Sequence, residues 1–146
     1  MMNYNRRDFM DNCIFCKIIS GDIPSSVLYE DEAFKVIMDI SPAAKGHAII
    51  IPKKHFANLF ELEDDFANKL LIVAKKVAKA MKKELECDGI NLLQNNGEAA
   101  GQSVFHIHFH LIPRYHDDKV KITWTPGQYK DGEAKELADK IARHIS

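Results

Sequence analysis

Apolar positions recur along the chain in two rhythms, one of period two and one near 3.6. Residues 27–30 and 33–38 carry β-formers on either side of an Asp31-Glu32 turn and predict two strands. After a break at Asp39-Ile40-Ser41-Pro42-Ala43-Ala44-Lys45-Gly46, the β-branched run 47–51, ended by Pro52, predicts a buried strand. Phe66, Leu70, Val73, Val77, Met81 and Leu85 then recur three or four apart, one apolar stripe of a helix over 64–85. Its start is acidic (Asp64, Asp65), lysines follow, and Asp88-Gly89 is the expected stop. Residues 90–94 alternate as a strand, 104–112 form the last strand before Pro113, and Leu137, Ile141 and Ile145 mark a helix over 132–145. The expected fold is α+β: a mostly antiparallel five-stranded sheet with one long helix and a C-terminal helix.

Composition narrows the function more than the fold. The 146 residues are 46% hydrophobic and 28% charged with a net charge of -1, ordinary values for one globular domain. Without a basic excess there is no electrostatic footprint for a nucleic-acid backbone, so a nucleotide partner should be small and held in a pocket. The apolar runs are too short for a membrane span, and Arg6-Arg7 is followed by no signal-like apolar stretch. Three cysteines do not make a secreted disulfide framework. The expected location is the cytoplasm.

The densest chemistry is Val104-Phe105-His106-Ile107-His108-Phe109-His110-Leu111-Ile112. On a strand, the three histidines share one face, about 6.6 Å apart, while Ile107, Phe109 and Leu111 pack on the other. A solvated face would more naturally use Thr, Lys or Glu. A metallohydrolase face usually adds nearby carboxylates, and the next acids, Asp117 and Asp118, lie beyond Pro113. A polar loop precedes the row. Its Asn95, Gly101, Gln102 and Ser103 offer an amide, a flexible backbone and a hydroxyl to an anion along the imidazoles, and so favour a phosphate site. Cys13-x-x-Cys16 is open by itself: a redox dithiol, half of a zinc site, or two unrelated thiols.

The segment His106-Ile107-His108-Phe109-His110-Leu111-Ile112 resembles the His-φ-His-φ-His-φ-φ signature of the histidine-triad (HIT) proteins, φ being apolar. Cys13-Ile14-Phe15-Cys16-Lys17-Ile18-Ile19, Tyr29-Glu30-Asp31, Asp39-Ile40-Ser41-Pro42, Gly46-His47, Ile51-Pro52-Lys53-Lys54-His55 and Gly101-Gln102-Ser103-Val104 resemble its Hint-like branch in the same order. The resemblance implies a HIT domain over 12–115, an N-terminal extension over 1–11 and a tail with a helix over 116–146.

It also implies a hydrolase acting at the α-phosphate of purine nucleoside 5′-phosphoramidates, acyl-adenylates or dinucleoside polyphosphates. His108 would be the nucleophile, giving a covalent nucleotidyl-histidine and then AMP. His110 and Ser103 would serve the phosphate, His47 would position the imidazoles, and Asp39 would take the ribose hydroxyls, though alone it also suits a turn. Ile40, Asn95, Gly101 and Gln102 complete the implied nucleotide site, and Ile14, Phe15, Ile23 and Ile37 the base pocket. By the same resemblance, Cys13, Cys16, His55 and His106 would hold a structural zinc, and the protein would be a homodimer. Two other classes fit the residues: a nucleotide-binding regulatory or scaffold protein with incidental hydrolysis, and a metal-dependent hydrolase.

Overall fold

Strand alternation sorts the apolar side chains onto the two faces of one sheet. The computed structural model describes residues 12–146, so the expected extension over 1–11 lies outside the described residues. Helix α1 (Ile14–Ser20) leads to strands β1 (Val27–Glu30), β2 (Phe34–Met38) and β3 (Ala48–Pro52). Helix α2 (Asp64–Leu85), β4 (Gly89–Leu93), a short 3-10 turn (Glu98–Ala100), β5 (Phe109–Arg114) and helix α3 (Glu133–Ala142) follow. The five-stranded sheet has the order β1-β2-β3-β5-β4, and every pairing is antiparallel.

Phe34 and Val36 of β2, Ala48 and Ile50 of β3, and Phe109 and Leu111 of β5 face α2, whose Leu70, Val73, Val77 and Met81 cover them. The alternate positions Ile37, Ile49 and Ile51 face the other way and pack with Phe15 and Ile18 of α1. Burial of these apolar faces is the main force holding the layers together. Lys35 also points to the α1 side. Its buried ammonium donates to the Ile18 carbonyl (3.0 Å), in the last turn of α1, where a helix dipole favours a cation.

Several expectations need correction. Helix α2 spans the expected 64–85, but its stop is Glu86, which turns left-handed (φ 49°) and returns its N–H to Lys82, rather than Asp88-Gly89. Helix α1 was not foreseen. The last strand is shorter at its start than 104–112, because the backbone there bonds elsewhere. Ile107 N–H donates to the Phe56 carbonyl (2.7 Å), and the His106 carbonyl accepts from the His108 ring (2.8 Å).

Nor does Pro113 stop β5, which runs on to Arg114. The β3–β5 pairing covers only Phe109 to Leu111, so around Pro113 the strand has β4 alone as neighbour. A missing donor is tolerated at such a local edge. Beyond it, Arg114 ties the end of the sheet to the tail through Asp118 (2.8 and 3.0 Å), Asn91 (2.7 Å) and the Val120 carbonyl (2.8 Å).

Candidate active site and metal centre

Although only His110 lies within β5, the three imidazoles share the α1 side of the sheet while Ile107, Phe109 and Leu111 enter the core under α2. Each ring nitrogen with a partner that can only donate, or only accept, has its proton fixed. The His106 carbonyl can only accept, so the proton of neutral His108 sits on Nδ1 (2.8 Å) and Nε2 keeps its lone pair. The Pro52 carbonyl likewise draws the His106 proton to Nε2 (2.8 Å), leaving Nδ1 bare.

A second chain of bonds starts in the loop after β2. Ala43 N–H donates to His47 Nδ1 (3.0 Å), so neutral His47 carries its proton on Nε2. That nitrogen lies 2.8 Å from His110 Nδ1 and 3.6 Å from Asp39 Oδ2. His110 Nδ1 therefore accepts, and its own proton lies on Nε2. The result is an electron-pair donor at His108 beside a proton donor at His110, with ring centroids 5.0 Å apart. Burial keeps both rings neutral. It lowers His108, and it pushes His110 down to about 4, helped by neighbouring His108 and His47 and opposed by Asp39.

The remaining nucleotide-site candidates frame this pair. Asp39 takes the turn role as well, its Oδ1 accepting from Ser41 N–H (2.8 Å). Ile40 is 93% exposed. Asn95 is partly buried with its amide close to Gly101, whose φ of +91° suits glycine. The Gln102 side chain is buried and braces the loop, donating to the carbonyls of Ala57 (2.7 Å) and Val104 (3.1 Å) and accepting from Gly97 N–H (2.8 Å). Its own backbone N–H goes to the Gly97 carbonyl (3.1 Å). The loop is thus pinned where flexibility was expected, and Ser103 is its exposed hydroxyl.

At the other end of the histidine row, Cys13, Cys16, His55 and His106 bring their ligand atoms within 4.8 Å of one another. Cys16 Sγ lies 3.3 Å from His55 Nδ1 and 3.5 Å from His106 Nδ1, and Cys13 Sγ lies 3.4 Å from His106 Nδ1. Sulfur and nitrogen ligands at about 2.3 and 2.1 Å from a tetrahedral ion sit roughly 3.6 Å apart, so the cluster has nearly the right size. Its electronics match too. Burial and the neighbouring Cys13 push the Cys16 thiol up to about 12, and burial pushes His106 down to about 4. A cation bound there would displace the thiol protons and take lone pairs from sulfur and nitrogen together. Asp39, His47 and His110 also converge within 4.8 Å, but the proton on His47 Nε2 leaves that nitrogen no lone pair for an ion.

The HIT domain family model matches residues 20–117. The chain belongs to the HIT family. Adenosine 5′-monophosphoramidase HNT1 of Saccharomyces cerevisiae is 47% identical over 134 residues, covering 88% of this chain and 82% of that protein. Among solved structures, a HIT family member from Bacillus subtilis superposes with a TM-score of 0.88 at 45% identity, covering 92% of this chain and 98% of that one. A Zn-bound histidine triad family protein from Mycobacterium smegmatis gives a TM-score of 0.73 at 36% identity, covering 92% and 99%.

Relative to other parts of this HIT chain, α1 was the element hardest to foresee. Its N-cap is Cys13, whose sulfur accepts from Cys16 N–H (3.4 Å), in place of the usual Ser, Thr, Asp or Asn. The buried Lys35 in an otherwise apolar strand was the available signal that a helix end lay beneath it. His116 and His144 are exposed and Cys87 is buried. Among the described residues, no helix is long and apolar enough to cross a membrane.

Proposed function

We propose that this HIT protein hydrolyses purine nucleoside 5′-phosphoramidates, acyl-adenylates or dinucleoside polyphosphates at the α-phosphate, releasing AMP. The observation that carries the reading is the 2.8 Å bond from His108 Nδ1 to the His106 carbonyl, which leaves Nε2 free to react. The Nε2 lone pair attacks the α-phosphorus, and the bond to the leaving group breaks with its electron pair. The leaving group takes a proton from solvent as it departs. Water then attacks the nucleotidyl-histidine and gives up its proton to solvent, the N–P bond breaks back to His108, and AMP leaves. Two easier displacements replace one difficult one.

The proton on His110 Nε2 suits a non-bridging phosphoryl oxygen, and Ser103 a second phosphate contact. His47 holds His110 in the donating tautomer. Asp39, with Oδ1 used by Ser41, offers Oδ2 to the ribose hydroxyls, and Ile40, Asn95, Gly101 and Gln102 shape the rim. The name of the yeast relative, an adenosine 5′-monophosphoramidase, supports adenosine and an amine leaving group.

Cys13, Cys16, His55 and His106 would hold zinc, in keeping with the mycobacterial neighbour. Bound there, zinc would cross-link α1 to the histidine row and supply no chemistry to the substrate. In this reading 12–115 form the catalytic domain and the protein works in the cytoplasm as a homodimer. The exposed apolar stripe of α3 (Leu137, Ile141) in the 116–146 tail supports a second copy as partner.

Rapid quenching during turnover of adenosine phosphoramidate, followed by peptide mass spectrometry, tests the chemistry. An adenylyl group on His108 is expected. Brisk turnover with no adduct there would overturn the mechanism.

A further inference from the structure

Helix α1 carries Phe15 between Cys13 and Cys16, with its ring buried. The ring meets two imidazoles edge-on: His108 at 4.9 Å between centroids with planes at 69°, and His106 at 5.9 Å and 87°. His110 lies against His108 as well, at 5.0 Å and 72°. The bond from Nδ1 to the His106 carbonyl directs one atom of the His108 ring, but a ring held by one atom can still pivot. Packing fixes its plane, and edge-on aromatic contacts are directional enough to do so.

The same residues face the Cys/His cluster. His106 Nδ1 points at both sulfurs, while its carbonyl receives the His108 proton. The Lys35 ammonium anchors the far end of α1 at Ile18, while at the end that bears Phe15 the sulfurs of Cys13 and Cys16 reach the rings of His55 and His106. We propose that Phe15 is a positioning residue for His108, through which occupancy of the Cys13/Cys16/His55/His106 cluster by a metal ion sets the aim of the nucleophile. The inference rests on the reading of His108 as nucleophile. A residue that only lined the base pocket would affect nucleotide affinity and leave the rate at saturation alone.

The test compares full-length wild type and Phe15→Leu, each zinc-loaded and chelator-stripped. Zinc-loaded Phe15→Leu should keep wild-type zinc content, while adduct formation at saturating substrate slows roughly tenfold whatever change in AMP affinity accompanies it. Stripping should slow wild type by a similar factor and Phe15→Leu by much less. It should also move the His108 imidazole 15N resonances of nucleotide-free wild type. An unchanged rate in zinc-loaded Phe15→Leu overturns the proposal, as do equal stripping factors in the two proteins. So does protein that takes up no zinc. If Phe15→Leu does not fold, the wild-type resonances decide: no shift on stripping overturns it. A wild type that turns over without an adduct on His108 instead removes the nucleophile reading beneath it.

Discussion

The two ends of the histidine row use the same side chain for opposite ends. His106 and His108 are two residues apart, buried and neutral, and each spends one ring proton on a backbone carbonyl. The ring atoms differ. His106 gives its Nε2 proton to Pro52 and turns Nδ1 to two sulfurs, whereas His108 gives its Nδ1 proton to His106 and leaves Nε2 open. What a histidine does is set by the bond its other nitrogen makes. The row therefore divides into a binding end and a reacting end.

The largest effect that sharpens this division is on rate. His108→Ala should lower kcat by about 10³-fold or more, since it removes the group that bonds to phosphorus. Zinc content by elemental analysis should stay at the wild-type level, because no cluster ligand is touched. Loss of metal together with activity in His108→Ala would erase the boundary between the two ends and favour a metal-dependent hydrolase.

Much of this division was legible in the residues. The period-two alternation placed the imidazoles opposite Ile107, Phe109 and Leu111, and that sorting holds although β5 begins only at Phe109. Burial selects for alternation, so the pattern survives where the ladder does not. Strand limits were less legible, because they depend on distant acceptors such as the Phe56 carbonyl. The long helix α2 has the limits that its stripe predicts, 64–85, since it carries enough turns for the 3.6 period to show. With seven residues and a cysteine cap, α1 shows no such period, and the contact between Phe15 and His108 went unseen with it. The tautomers of His47 and His110 hang on one amide, Ala43 N–H, which no pattern of side chains reveals.

The next effect falls on the binding end. Cys16→Ser should remove bound metal and lower stability by on the order of 3 kcal/mol, because a site formed only in the folded chain lends its binding energy to folding. Elemental analysis and urea denaturation check both halves. AMP binding by calorimetry should stay within a few-fold of wild type, since the ribose and phosphate groups lie at the other end. A Cys16→Ser protein with full zinc and unchanged stability would mean that the cluster holds no structural ion.

The smallest effect is a pH dependence at the reacting end. His110 is pushed down to about 4 by burial, then by His108 and His47, with Asp39 pulling the other way. In the unfolded chain a histidine titrates near 6.5. Between those values the unfolded state binds more protons than the folded one, so stability must fall on acidification. The penalty is absent above about 6.5, grows as the pH drops, and levels off below about 4. Partial exposure of the ring screens the effect, so a modest slope is expected. Urea midpoints between pH 7.5 and 4.5 should decline in wild type and decline less in His110→Gln, which cannot take up the proton. Parallel curves for the two proteins would show that the low affinity of His110 for a proton is not built into the fold. The reacting end would then differ from the binding end only in its neighbours' hydrogen bonds.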